Sequence, residues 1–266
     1  MTAPDLPGLH LPISTTAVRV RWLVLDAVAP EMWAEFAALL DDAERARAAR
    51  FHFDRDRQAY IAAHALARTL LSAEAPRPPA TWRFTEGVHG KPEVVREPGV
   101  PPLRFNLSHT HGLVAVAVTL AHDVGIDVEA IDPKRAGLEF AERVFAPAEV
   151  ALLRAAPREA LPETLFAIWT LKEACIKALG GGLSVPLDAF SVSLDPLAVH
   201  FSDALGEDPE HWRLWQMGPT PAHALALALR HPEPAAVRVD AIGVRAQDIL
   251  TSAAHAASDA GQIGRR

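Results

Sequence analysis

From residue 163 to 179 the chain runs without a glycine or proline, and within that helical stretch lies Trp169-Thr170-Leu171-Lys172-Glu173-Ala174-Cys175-Ile176-Lys177. Trp169, Glu173 and Lys177 follow i, i+4, i+8 and drift only slowly around one helix face, so a carboxylate and an ammonium project together. Upstream, Val124-Gly125-Ile126-Asp127-Val128-Glu129 reads as a β-strand. Its two carboxylates stand at i and i+2, which puts both on one face, close enough to share a cation. Three oxygen-only ligands suit a hard cation that keeps several waters and binds through substrate phosphates, namely Mg2+. A lysine beside them suits a phosphate leaving group. The pattern implies phosphate chemistry on a metal.

Each piece has a plainer reading on its own. Glu173 and Lys177 make an ordinary i, i+4 ion pair, worth ~0.3–0.5 kcal/mol on a solvated helix. Acidic residues at alternate positions are common on exposed strands. The surroundings favour the sharper reading. Ile126 and Val128 fill the opposite strand face, which predicts a half-buried strand whose clustered carboxylates need a cation or a proton. Gly125 leaves room for backbone or ligand to come close. After the helix comes Gly180-Gly181-Gly182-Leu183-Ser184, where one glycine would serve as a C-cap and three suggest a backbone that flexes or admits a partner.

The chain has 266 residues, half of them apolar, and a formal net charge of −7. That predicts a globular protein and argues against a nucleic-acid binder, which needs an excess of Lys and Arg. The N-terminus at 1–5 lacks the basic region and apolar run of a signal peptide, and no apolar run approaches the ~18 residues of a membrane span. A soluble, cytoplasmic monomer is expected, with no membrane partner. The single cysteine, Cys175, falls on the far side of its helix from Glu173 and reads as a core thiol.

Runs of helix and strand are segregated, which predicts an α+β fold in two lobes: 1–121, 122–245 carrying the metal carboxylates, and a tail at 246–266. The first lobe reads as a strand over 17–28, helical sequence over 31–50, a helix from an Asp54 N-cap to about Ser72, and strands at 81–86 and 113–119. The second reads as a strand at 124–129, helices at 139–145, 147–155 and 163–179, and strands at 189–194, 211–217, 223–230 and 237–242. Arg104-Phe105-Asn106-Leu107-Ser108-His109 reads as a polar entrance to the 113–119 strand, where Ser, His and amide groups can meet phosphate. Gly90-Lys91-Pro92 is a turn with Lys91 exposed. The 44–57 segment is rich in arginine, the side chain whose planar fork of donors suits phosphate.

In this order the pieces resemble the 4'-phosphopantetheinyl transferase family, in its long two-lobed Sfp-type branch. The resemblance runs through Arg45–Phe53, Gly90-Lys91-Pro92, Phe105–His109, Gly125–Glu129, Trp169–Lys177 and Gly182–Leu187, across roughly 17–230. It implies two similar α+β lobes in a pseudo-two-fold arrangement, with coenzyme A in the cleft between them. Carried over by position, Asp127, Glu129 and Glu173 correspond to the Mg2+ ligands, and Lys177 to a lysine near the bridging phosphate oxygen. Ser108 and His109 match residues that touch the coenzyme phosphates, and Arg47, Lys91 and, from the same cluster, Arg50 match basic positions near the nucleotide and its 3'-phosphate. Glu44 departs from the pattern, standing where relatives often place a basic residue; so do Thr110-His111 and Gly181.

The implied activity is transfer of phosphopantetheine from coenzyme A to a serine of an acyl- or peptidyl-carrier domain of fatty acid, polyketide or non-ribosomal peptide synthases. Glu173 and Lys177 would be the catalytic pair. The same carboxylates would also serve a Mg2+-dependent phosphohydrolase or nucleotidyl transferase. A non-catalytic binding module would lack one of the three carboxylates or the lysine, and all four are here. The glycine run with Leu183 is the expected carrier-docking surface.

Overall fold

The computed structural model describes residues 13–87 and 90–263, apart from the side chains at 183 and 261–263. The readings made for residues 1–5 and 264–266, and for the side chain of Leu183, lie outside the described residues. In chain order the elements are β1 (Ala17–Val24), α1 (Met32–Ala38), α2 (Asp42–Ala48), α3 (Asp54–Glu74), β2 (Phe84–Glu86), β3 (Pro92–Val94), β4 (Leu103–Thr110), β5 (Leu113–Leu120) and β6 (Asp123–Ala130). Then follow α4 (Leu138–Val144), α5 (Pro147–Ala155), α6 (Leu161–Leu179), β7 (Phe190–Leu194), β8 (Leu197–Phe201), β9 (Trp212–Thr220), β10 (His223–Arg230), β11 (Arg238–Gly243) and α7 (Ala246–Ile263). The α+β class is as expected. Among the described residues no helix is long and apolar enough to cross a membrane.

The chain falls into two compact units. The first holds the residues up to Thr85, Pro92–Ala121 and everything from Arg238 on; the second holds Glu86–Lys91 and His122–Val237. The division expected from sequence ended the second lobe at 245 and left 246–266 as a tail. Instead β11 pairs in parallel with β1, Ala17 opposite Arg238 and Trp22 opposite Gly243, so the last strand and α7 join the first unit. Arg21, buried in β1, secures the join by donating to the Asp240 carbonyl at 2.8 Å and its carboxylate at 2.6 Å. A parallel pairing of strands so distant in sequence leaves no local pattern to read.

In the first unit the sheet order is β11-β1-β5-β4. Nearly all of β5 is buried, and α3 covers the sheet with Ala59, Ala62, Ala63, Leu66 and Leu70 turned inward. The 31–50 stretch divides into α1 and α2 because Asp41 caps the second helix, exchanging hydrogen bonds with Glu44 in a capping box. Asp54 is the first helical residue of α3; Phe53 is the N-cap position, without a side-chain bond. Residues 103–110 form a full strand, β4, rather than an entrance to the next one, and β3 and β8 were not foreseen. Glu44 also binds His64 Nδ1 at 2.8 Å and Arg68 Nε at 2.7 Å. It has become a structural anion, which accounts for an acidic residue in the basic segment.

The second unit is built on the antiparallel sheet β6-β10-β9, with α6 laid across it. Gly125 shows how close the helix comes: a Cβ there would lie 2.0 Å from the Ala174 carbonyl oxygen and 2.5 Å from the Ala178 nitrogen. Opposite β6, Ala228 faces Gly125, Ala226 faces Asp127 and Ala224 faces Glu129. Strand side chains alternate, so Asp127 and Glu129 share the face that Gly125 turns to α6. Val124 through Val128 are all buried, so β6 is covered on both faces rather than half exposed.

Two outcomes test this account. Burial raises the proton affinity of Glu44, but His64 and Arg68 outweigh it and hold the carboxyl below its ordinary value of 4.5. A lowered folded-state pKa contributes stability above the unfolded value that is lost as pH falls through the folded one. Urea midpoints measured below about pH 4.5 should therefore fall, and Glu44→Gln should flatten that part of the profile. Gly125→Ala should destabilise the second unit by about 1–3 kcal/mol or more, since backbone atoms of α6 must move, and a lowered melting temperature by circular dichroism would register it.

Candidate functional site

On β6 and α6 the predicted residues meet. Lys177 Nζ donates to Asp127 Oδ1 at 2.7 Å and to the Ile126 carbonyl at 3.1 Å. Asp127 is 5 % exposed, and its ammonium partner is 27 % exposed, so the pair sits at the rim of the buried strand. Glu173 lies one helical turn before Lys177 and is half-buried, as is Glu129 near the end of β6. Burial raises the proton affinity of Glu173, the negative charges of Asp127 and Glu129 raise it further, and Lys177 opposes them. Glu173 therefore feels the charges of both strand carboxylates as well as that of the Lys177 ammonium.

The donor set is oxygen-only, as a hard cation requires. Among the described residues, however, no three His, Cys, Asp or Glu side chains are gathered into a ready-made metal cage. At Asp127 the positive charge is supplied by Lys177.

Lys91 is not the exposed turn residue expected. Its ammonium donates to the Lys177 carbonyl at 2.7 Å and the Val124 carbonyl at 3.1 Å. The first of these is among the last four carbonyls of α6, which have no partner within the helix. A cation there also meets the negative end of the helix dipole. Lys91 thus ties the end of α6 to the start of β6, a role its Gly-Lys-Pro setting does not reveal.

The glycine run finds its reasons within the turn. Gly180 ends α6 in the left-handed region at φ 72°, and Gly182 adopts φ 54°. At Gly181 a Cβ would stand 2.4 Å from Val185 Cγ2. Trp169 packs on Phe140 and Phe145, with ring centroids 5.3 and 6.2 Å away. Cys175 is buried, and burial pushes its thiol up to about 12, which leaves it inert.

The remaining predicted residues belong to the first unit. Ser108 and His109 are consecutive on β4, opposite Ala115 and Val114, and so point to opposite faces. Ser108 is buried and His109 exposed. Arg47 is exposed in the last turn of α2 with its guanidinium 5.6 Å from the centroid of the Tyr60 ring, and Arg50, also exposed, follows that helix.

Sequence reading passed over Lys172, within the same motif. It is fully buried and bonded to Glu149. The available signal was Glu149 three residues into a Pro-initiated helix, a capping position with a spare carboxylate oxygen.

Comparison with known proteins gives two family matches in succession. Residues 27–121 match the model described as "4'-phosphopantetheinyl transferase, N-terminal", and residues 123–228 the "4'-phosphopantetheinyl transferase superfamily". The chain is 35 % identical over 162 residues to the 4'-phosphopantetheinyl transferase HetI of Nostoc sp., covering 61 % of this chain and 68 % of the relative. To the transferase Sfp of Bacillus subtilis it is 28 % identical over 201 residues, covering 74 % and 85 %. Among solved structures, a holo-[acyl-carrier-protein] synthase of Thermotoga maritima aligns with a TM-score of 0.33 at 24 % identity, over 41 % of this chain and 62 % of that one.

Removing the Lys177 ammonium should be felt in stability as well as chemistry. Lys177→Met takes a charge-assisted partner from a nearly buried carboxylate, and a loss of about 1–3 kcal/mol is expected in urea unfolding at neutral pH. Adding Asp127→Asn should recover most of it. Equal midpoints for parent and Lys177→Met would contradict the pairing.

Proposed function

Because this chain belongs to the 4'-phosphopantetheinyl transferase family, we propose that it transfers 4'-phosphopantetheine from coenzyme A to a serine of an apo acyl- or peptidyl-carrier protein, with Mg2+ as cofactor and adenosine 3',5'-bisphosphate released. The observation that carries this reading is the Lys177 ammonium bonded to the nearly buried Asp127, with Glu173 one helical turn earlier on α6 and exposed to the charges of Asp127 and Glu129.

The residues fit a divalent cation by their chemistry. All three side chains are carboxylates; burial first, and then the negative charges of Asp127 and Glu129, raise the proton affinity of Glu173, and a cation would relieve both. Asp127, Glu129 and Glu173 would hold Mg2+. When bound, Mg2+ supplies neutralisation of the coenzyme A pyrophosphate.

The chain's own groups do the rest. The serine oxygen attacks the phosphorus that carries the pantetheine arm, and the bond from that phosphorus to the bridging oxygen breaks. Glu173 accepts the serine proton. Lys177 stabilises the charge that builds on the departing phosphate oxygen. Ser108 and His109 are proposed to contact the coenzyme phosphates, and Arg47, Arg50 and Lys91 the nucleotide side with its 3'-phosphate. Phosphoryl transfer asks mainly for such placement and charge.

The test incubates the full chain with coenzyme A, Mg2+ and a panel of apo carrier proteins, read by intact mass. The carrier should gain one phosphopantetheine per serine site while coenzyme A is consumed in step. Coenzyme A cleaved with no carrier modified would instead indicate a phosphohydrolase. Glu173→Gln should lower turnover by roughly 10²–10⁴-fold without rescue by excess Mg2+. Full rescue would make Glu173 a ligand alone.

A further inference from the structure

The seam between α6 and its sheet is made of small residues. Gly125 lies against the backbone at Ala174 and Ala178, and Ala224, Ala226 and Ala228 line the neighbouring strand on the same face. Small residues let a helix come close, but they present few ridges and grooves to interlock. Such a seam sets the distance of α6 more firmly than its rotation about its own axis. Yet the proposed chemistry depends on that rotation, because Glu173 and Lys177 must both face Asp127.

On the other side of α6 lies a polar clamp. Lys172 stands roughly 200° around the helix from Ala174. It is fully buried and donates to Glu149 Oε1 at 2.7 Å and to the Phe190 carbonyl at 2.6 Å. Its ammonium is also 4.2 Å from the centroid of the Phe190 ring. Glu149, 1 % exposed, accepts from Val192 N at 2.8 Å through the same oxygen, and from Ala146 N at 2.9 Å through the other. One ion pair thus joins the middle of α6, the start of α5 and the strand β7.

Stability alone does not call for a pair of ions there. Well-packed apolar residues in place of a buried ion pair are often as stabilising or more so, because two desolvated charges repay their cost only with good geometry. What the ions add is direction. Hydrogen bonds weaken steeply off their preferred angles, whereas apolar contact tolerates a small roll. The best-attested use of buried ionic groups is to specify register.

We infer that Lys172 is a positioning residue: clamped through Glu149 and Phe190 to α5 and β7, it fixes the rotation of α6 and so the faces on which Glu173 and Lys177 meet Asp127. Its consequence for turnover rests on the proposed function. Its structural content does not.

The experiment compares the parent with a clamp-free chain, Lys172→Met with Glu149→Gln, which leaves no lone buried charge and keeps an amide at the capping position. Its first readout is the coupling between Lys177→Met and Asp127→Asn, taken as the non-additivity of their urea midpoints in each background. The coupling should be present in the parent and vanish without the clamp. The second readout is turnover: kcat should fall on the order of 100-fold, as for a displacement of about 1 Å, while KM for coenzyme A changes less than about twofold. Should the double variant not fold, Glu149→Gln alone serves, with smaller losses in the same two readouts. Parental coupling in a folded variant overturns the inference whatever kcat does, and so does lost coupling with parental kcat. If the parent itself modifies no carrier, the functional reading fails, and the coupling measurement still decides the position of α6.

Discussion

A helix backbone pressed against a strand backbone is the contact on which the second unit turns. With a Cβ at Gly125 the Ala174 carbonyl would be 2.0 Å away, so α6 could not lie where it does. That approach has a direct electrostatic consequence. Gly125, Asp127 and Glu129 share one strand face, so the residue that admits the helix also turns both carboxylates towards it. The alanines opposite them on β10 keep the space open along the same line. Steric smallness and charge are thereby interleaved on one face.

Burying carboxylates on a strand covered on both sides costs desolvation, which Lys177 offsets at Asp127. Three lysines of this unit do different work. Lys177 neutralises Asp127 at the rim and is partly open to solvent. Lys91 closes the carbonyl end of α6. Lys172 is wholly enclosed, and burial lowers its proton affinity while the neighbouring Glu149 carboxylate works against that shift. Being the same residue type, two of them five positions apart on one helix, they differ only in what the fold brings to their ammonium groups. The first unit offsets its buried arginines similarly: Arg19 with Glu74 at 2.9 Å, Arg21 with Asp240, and Arg68 with Asp41 and Glu44.

Much of this was legible beforehand where it depended on local stereochemistry. The period of a helix put Trp169, Glu173 and Lys177 on adjacent turns, and the period of a strand put Asp127 beside Glu129. Strand β10 has the range expected for it, and Cys175 is in the core. Other segments misled for identifiable reasons. The polar residues of 104–110 read as an entrance to the next strand, not a strand of their own, because Asn106 and Ser108 are buried in a strand, where polar side chains are uncommon. Three glycines suggested a backbone that flexes or admits a partner, and their backbone reasons lie in the turn itself: two supply left-handed φ, and at the third a Cβ would crowd Val185. Lys91 looked exposed because its partners are backbone carbonyls, which every sequence contains.

The sequence by itself determined the directions of side chains along each helix and strand, and the chemical type of the groups sharing a face. Those follow from backbone geometry repeated every few residues, and they were enough to point to carboxylates, a lysine and phosphate chemistry. Only the tertiary structure decided what each face meets. It set β11 parallel to β1, buried β6 on both sides, put the Lys91 ammonium on the end of α6 and closed Lys172 on Glu149. Each of these joins segments far apart in sequence, through contacts whose distance and angle depend on the whole packed unit. Periodicity records where a side chain points; the partner that arrives there is settled when the chain closes on itself.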